Sequence, residues 1–152
     1  MSRLERRQIL RHDLDGVFAF FADAQNLATI TPPFLDFQIL TKAPIEMRAG
    51  ALIDYRIALF GIPIRWRTEI ETFDPGVSFI DRQVRGPYER WRHTHTFSRV
   101  PEGTLMVDVV DYEVGFGPFG AVAHALFVRR TLAKIFDYRA EVVAARFDGT
   151  AR

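Results

Sequence analysis

The chain has 152 residues, of which 48% are hydrophobic and 26% charged, and this size and balance suit one globular domain with its own core. The formal net charge is +1 with basic and acidic residues interleaved, so we expect neither nucleic acid nor an anionic membrane surface as a partner. The absence of cysteine excludes disulfides, thiolate zinc sites and cysteine nucleophiles, and no apolar stretch reaches the length of a signal-peptide core or a membrane span. We therefore expect a cytoplasmic protein without a transmembrane segment.

The N-terminal part of the chain predicts a strand followed by short helices. Residues 3–11 have the mixed polarity of a first strand. Asp13 or Asp15 can cap the helical region that follows over 14–30. Proline lacks the backbone donor that a helix needs, so Pro32 and Pro33 end this region. Residues 34–41 then predict the second strand.

Five further strands are predicted over 51–61, 64–73, 77–85, 89–99 and 104–115, with turn signals such as Asp74-Pro75-Gly76 between them. Residues 115–120 form a glycine and proline linker. Residues 121–147 contain neither residue type and predict one long C-terminal helix. This order predicts an α+β fold of the helix-grip type, in which a curved antiparallel sheet of about seven strands wraps around the C-terminal helix, with two short helices after the first strand.

The polarity of residues 90–97 sets the orientation of the predicted sheet. Successive side chains of a strand point to opposite faces. One face of this strand carries only arginine and threonine, so it is the solvated face. The opposite face therefore points towards the helix, and it carries Trp91, His93, His95 and Phe97.

Polar residues are predicted to gather on this inner face, where each needs a hydrogen-bond partner. The favoured interpretation is a structural network that holds the sheet to the helix. Its predicted members are Asp81, Gln83, His93, His95, Asp108 and Arg139.

The same network suits two kinds of chemistry. In a catalytic interpretation one histidine is a general acid or base, Asp81 or Asp108 fixes its tautomer, and Tyr88 or Tyr112 polarises a carbonyl oxygen. Alternatively, the two histidines and a carboxylate could ligate a metal ion. Their spacing supplies no third assured ligand, so we expect neither a metal nor a cofactor.

Aromatic residues supply the walls of a predicted pocket for a small hydrophobic or aromatic molecule with a polar group. Residues 60–62 form a turn that could border its entrance. Arg129, Arg130 and Lys134 are interpreted as a solvated helix face. The predicted ligand-binding residues are Trp66, Gln83, Tyr88, Trp91, His93, His95, Phe97, Tyr112, Phe136 and Arg139.

Several segments resemble the START-like, birch-pollen-allergen-like superfamily (SRPBCC), which includes polyketide cyclase-like proteins. They are FFADAQNL, TPPF, GIPIRWRTEI, DRQVRGPYERWRHTHTF, GTLMVDVVDYEVGFGPFG and LAKIFDYR. The resemblance covers nearly the whole chain and implies the helix-grip fold and a pocket more firmly than it implies a reaction.

Three functions are therefore expected in order of preference. The first is binding of a small hydrophobic or aromatic ligand between sheet and helix, with polar recognition by His93, His95, Gln83 and Tyr88. The second is a cyclase, dehydratase or isomerase activity that uses a pocket histidine, which the resemblance suggests. The third, suggested by family context alone, is an interaction module for an epimerase-like or cell-division partner, which would show a contiguous exposed apolar patch outside the pocket. The oligomeric state is undetermined. No Walker lysine and no Gly-x-Ser-x-Gly motif occurs, so nucleotide and serine hydrolysis are excluded.

Overall fold

The computed structural model describes residues 1–59 and 61–148, and it has the predicted α+β helix-grip architecture. Seven antiparallel strands form one sheet in the order β1-β7-β6-β5-β4-β3-β2. Residue 60 of the predicted entrance turn lies outside the described residues. The strands are β1 (Ser2–Leu10), β2 (Gln38–Ile39), β3 (Leu52–Leu59), β4 (Ile62–Asp74), β5 (Ser78–Arg85), β6 (Arg90–Val100) and β7 (Gly103–Glu113); the α-helices are α1 (Leu14–Phe21), α2 (Leu27–Ile30), α3 (Gly117–Ala123) and α4 (Arg129–Phe147).

The predicted pair of short helices follows β1. Asp13 caps α1, because its side chain accepts a hydrogen bond from the Gly16 backbone N–H at 3.2 Å. Helix α2 ends at Ile30, before the two prolines. The cap prediction is therefore resolved in favour of Asp13.

The predicted strand over 34–41 is wrong for most of its length. Pro33–Leu35 forms a turn of 3₁₀ helix, and Asp36 follows it with a positive φ of 45°. Only Gln38 and Ile39 pair with β3. Pro33 fixes a helical φ at the start of the segment, and after Ile39 the backbone N–H groups of Leu40 and Thr41 both donate to the Asp54 carbonyl, so the regular ladder ends there.

The C-terminal helix begins earlier than predicted. Residues 115–120 are not a linker, because α3 starts at Gly117 and continues through a π-helical segment, His124–Val128, into α4. A Cβ atom on Gly120 would overlap the carbonyl oxygen of Gly115, so a glycine is needed where the chain turns into the helix. No helix in the described part of the chain is both long enough and apolar enough to cross a membrane.

The predicted orientation of the sheet is confirmed. His93 and His95 are 5% and 4% exposed, whereas Arg92 lies on the outer face, where its guanidinium contacts Glu71 at 2.7 Å. Similar cross-strand pairs join Arg82 to Glu69 on the same face. The core beneath the sheet contains a cluster of phenylalanines near α1, with Phe18, Phe79 and Phe97 among its members.

Candidate functional site

The two buried histidines of β6 form the centre of the candidate site. Their rings stack with centroids 3.7 Å apart. Each histidine bonds a carboxylate on a neighbouring strand: His93 Nε2 lies 2.8 Å from Asp108 Oδ1 on β7, and His95 Nε2 lies 2.6 Å from Asp81 Oδ2 on β5. His93 and His95 are two apart on one strand and share its inner face, and the register places Asp81 directly opposite His93 and Asp108 directly opposite His95 on that same face.

Arg139 connects this cluster to the C-terminal helix. Its Nη2 donates a hydrogen bond of 3.1 Å to Asp108 Oδ1, and its guanidinium lies 5.1 Å from the centroid of the Phe21 ring. The side chain is 9% exposed, so the ion pair is buried. A network that holds the sheet to the helix needs such contacts, and here they join α4 to β7.

The pKa values indicate which histidine carries a proton. Burial and the neighbouring charge of His95 lower the pKa of His93 to about 4. Burial also disfavours the charged form of His95, but hydrogen bonds to Asp108 and Asp81 outweigh it and raise the pKa of His95. At neutral pH, His93 is therefore a neutral imidazole whose Nε2–H donates to Asp108, and His95 is the histidine of the pair that holds a second proton more readily.

The two carboxylates are ionised in this arrangement. Burial favours their protonated forms, but Arg139 and the histidine hydrogen bonds hold the pKa of Asp108 well below its usual range. Burial acts on Asp81 in the same way, and the hydrogen bond from His95 lowers the pKa of Asp81 overall. The charge of Arg139 and the hydrogen bonds from the two histidines thus compensate the cost of burying the carboxylates.

Asp81, His93 and His95 are also the described residues best placed to hold a metal ion, with ligand atoms within 4.8 Å of one another. A histidine ligates a metal through an unprotonated ring nitrogen, so a divalent ion at this site would have to replace the hydrogen bond between His95 Nε2 and Asp81. It would also add positive charge beside Arg139. The donor set therefore suits the present proton and hydrogen-bond arrangement better than a metal.

Two adjoining cavities lie between this network, the sheet and the helices. The first has a volume of about 130 Å³ and extends towards Phe79 and Met47. The second has a volume of about 150 Å³ and extends towards Tyr88, Leu132 and Phe136. Seven residues line both cavities and so form a wall that the two share: Leu27, Ile30, Tyr55, Trp66, Trp91, His93 and Arg139.

Most of the predicted ligand-binding residues line these cavities. Trp66, Trp91, His93 and Arg139 line both. Of the other predicted ligand-binding residues, His95 lines the first cavity, and Tyr88 and Phe136 line the second; Asp81, predicted as a network and catalytic residue, also lines the first.

Three predicted ligand-binding residues lie outside both linings. The Gln83 side chain bonds the backbone of Tyr88 in both directions, at 2.7 and 3.1 Å, and so fixes the β5–β6 turn instead of joining the buried network. Phe97 packs at 5.2 Å, ring to ring, against Phe18 in the phenylalanine cluster. The Tyr112 hydroxyl lies 2.6 Å from His124 Nε2 on the C-terminal helix. Asp108 likewise lines neither cavity, and it acts on the site through its hydrogen bond with His93.

Sequence reasoning missed the lining contributed by α2 and β3. Leu27 and Ile30 are three residues apart, which places them on one face of a helix, and both border the two cavities. Tyr55 stacks on Trp66 with centroids 5.7 Å apart. The period-2 pattern of residues 53, 55 and 57 was the signal that could have identified Tyr55.

The sequence model of the family described as polyketide cyclase / dehydrase and lipid transport matches residues 10–135. The chain belongs to this family. The match confirms the SRPBCC resemblance. A search of curated proteins found no match.

Solved structures of related fold span both bacterial and plant proteins, at identities that show the fold alone. Protein CV1439 of Chromobacterium violaceum is 15% identical, with a TM-score of 0.75 over 97% of this chain and 98% of its own. The major latex-like protein 151 of Panax ginseng is 15% identical, with a TM-score of 0.64 over 96% of this chain and 97% of its own. A nucleoside-diphosphate sugar epimerase of Corynebacterium glutamicum is 23% identical, with a TM-score of 0.68, over 92% of this chain but 28% of the epimerase.

Proposed function

We propose that the protein binds a small, mostly apolar molecule with a hydrogen-bond acceptor in the two cavities between its sheet and its C-terminal helix. The aromatic wall that both cavities share carries this proposal. An apolar protein cavity of about 150 Å³ accommodates benzene. Each cavity here is close to that size, so together they suit a ligand with two fused or linked rings.

Two buried donors without partners indicate the polar part of the ligand. Among the described residues, neither Trp66 Nε1 nor Arg139 Nε has a hydrogen-bond partner, although both side chains line both cavities. An unsatisfied buried donor costs about 1–3 kcal/mol, which a ligand carbonyl or ether oxygen would recover. This donor chemistry supports a ligand that accepts hydrogen bonds, such as an aromatic ketone.

A matched pair of probes tests this proposal. We expect 1-tetralone to bind about tenfold more tightly than tetralin, which has the same bicyclic frame without the carbonyl, because only the ketone satisfies the free indole donor. In Trp66→Phe, which keeps an aromatic ring but loses Nε1–H, this preference should be clearly reduced, because of the two free donors only Arg139 Nε is left. Calorimetric titration of both probes with both proteins measures the change.

Trp91→Phe is the control, because Trp91 lines both cavities and its indole nitrogen is not among the buried unpartnered atoms. It should retain the preference for the ketone. Failure of wild-type protein to bind either probe would contradict the proposed cavity function. Equal binding of the two probes would contradict the assigned polar group while leaving apolar binding intact.

A catalytic role is the second candidate, and it depends on His93. Its neutral imidazole borders both cavities, and Asp108 fixes its tautomer, as a general base requires. A base with a pKa of about 4 is weak at neutral pH, so these properties favour binding over turnover. If a cyclase, dehydratase or isomerase substrate is found, unchanged turnover in His93→Gln would rule out this role.

A further inference from the structure

The start of the C-terminal helix exposes a group of large apolar side chains. Phe116 and Phe119 are 81% and 82% exposed. Val122, Leu126 and Phe127 follow at 59%, 56% and 58%. None of the five residues of the π-helical segment, His124–Val128, is buried. Isolated exposed apolar residues are ordinary, but a contiguous set of this kind marks an interaction surface.

These side chains share one side of the helix. Phe119, Val122 and Leu126 are spaced by three and four residues, which aligns side chains along a helix face. Leu132, just beyond the segment, belongs to a buried cluster with Val110 and Tyr112 of the sheet, and Gly120 is buried against the backbone of Gly115. The 116–130 segment is mostly apolar and turns its large apolar side chains outwards, the reverse of a helix that packs into a core.

The charges beside the exposed apolar group have a single sign. Between Glu113 and Asp137 the sequence contains no acidic residue, but it contains Arg129, Arg130 and Lys134. All three are exposed. None of them forms an ion pair within residues 1–59 and 61–148. Phenylalanine and leucine beside unpaired arginines form the pattern of helices that bind anionic membrane surfaces.

The second cavity lies directly beyond this segment. Thr131 follows Arg130 and belongs to the lining of that cavity, as does Leu132. A lipid surface contacting the 116–130 segment would thus be about one helical turn from a space lined by apolar side chains.

We propose that the 116–130 segment binds the surface of a bilayer that contains anionic lipids. The net charge of the whole chain, +1, does not reveal this local excess of basic residues, because acidic residues elsewhere in the chain offset them. A protein partner or a second copy would also cover apolar side chains, but exposed phenylalanines beside unpaired basic residues favour an anionic lipid surface. The proposal does not depend on the cavity ligand.

Co-sedimentation with vesicles of phosphatidylcholine, with or without phosphatidylglycerol, tests the proposal. We expect the wild type to partition onto the phosphatidylglycerol vesicles and to be released by salt. Phe119→Ser combined with Leu126→Ser should reduce partitioning at least tenfold, because two apolar side chains lose their lipid contacts. Arg129→Gln combined with Arg130→Gln should reduce it on the order of tenfold, and only for the anionic vesicles.

The controls change equally exposed residues outside the segment. Phe34→Ser and Ile62→Ser, at positions 56% and 64% exposed, should partition like the wild type, and so should Arg85→Gln. The proposal is overturned if the wild type binds neither kind of vesicle, because the exposed apolar group would then be assigned to contact with a protein partner. It is also overturned if sedimentation velocity shows a dimer that Phe119→Ser dissociates, because the group would then belong to a second copy of the chain.

Discussion

Replacement of Arg139 by methionine should lower the free energy of unfolding by about 3–5 kcal/mol, because it leaves the buried carboxylate of Asp108 without its main positive partner. The Arg139 side chain is 9% exposed and its Nη2 lies 3.1 Å from that carboxylate, so the ion pair is largely removed from bulk water. In a chain of this length the loss corresponds to a decrease in Tm of roughly 10 °C or more. Thermal and urea unfolding measure the effect.

A double-mutant cycle distinguishes loss of charge compensation from loss of packing. In the Arg139→Met background, Asp108→Asn should cost clearly less than it does in the wild type, because the unpaired charge is then removed. Arg130→Met, an exposed position on the same helix, should change stability by less than about 0.5 kcal/mol. Additive effects of the two network substitutions would contradict the charge argument.

Acid should destabilise the protein well above the pH at which carboxylates normally titrate. An unfolded histidine has a pKa of about 6.5, whereas the folded pKa of His93 is about 4. Between these values the unfolded chain binds more protons than the folded one, so stability falls as the pH falls, by about 3 kcal/mol across the interval. Below that interval the lowered pKa values of Asp81 and Asp108 add further loss.

His95 should have the opposite effect at alkaline pH. Its pKa is raised in the folded state, so its contribution is fully present below about pH 6.5 and is lost as the pH rises through its folded pKa. The pH profile of urea unfolding should therefore have a maximum, and ¹⁵N NMR should show that His93 becomes neutral at a lower pH than His95. His93→Gln should flatten the acid side and His95→Gln the alkaline side. An unchanged acid side in His93→Gln would contradict the assignment.

Strand periodicity was sufficient to predict which face of the sheet is buried. Arg90 and Arg92 alternate with His93 and His95, and this alternation decides the orientation regardless of tertiary detail. It also placed Asp81 and Asp108 on the same face as the histidines. Alternation does not give the diagonal pairing, in which each histidine bonds a carboxylate beyond its direct cross-strand neighbour, because this depends on rotamers.

Features set by loops and by contacts distant in sequence could not be predicted in this way. Gln83 has the same parity as Asp81, yet its side chain forms hydrogen bonds with the backbone of the β5–β6 turn and not with the buried network. The helix starts at Gly117 because Gly120 approaches the Gly115 carbonyl, a contact that no local pattern reveals. Phe119 and its neighbours have the composition of core residues, so only the structure shows that they are exposed.

The position of β1 at one edge of the sheet, beside β7, has a consequence for biosynthesis. Ser2 pairs with Tyr112 and Leu10 with Thr104, so β1 leaves the ribosome well before the strand to which it bonds. At roughly 5–20 residues per second, several seconds of translation separate the two. During that time the backbone N–H and C=O groups of β1 lack their hydrogen-bond partners on β7. We therefore expect mispairing and chaperone binding to affect the nascent chain more than the folded protein.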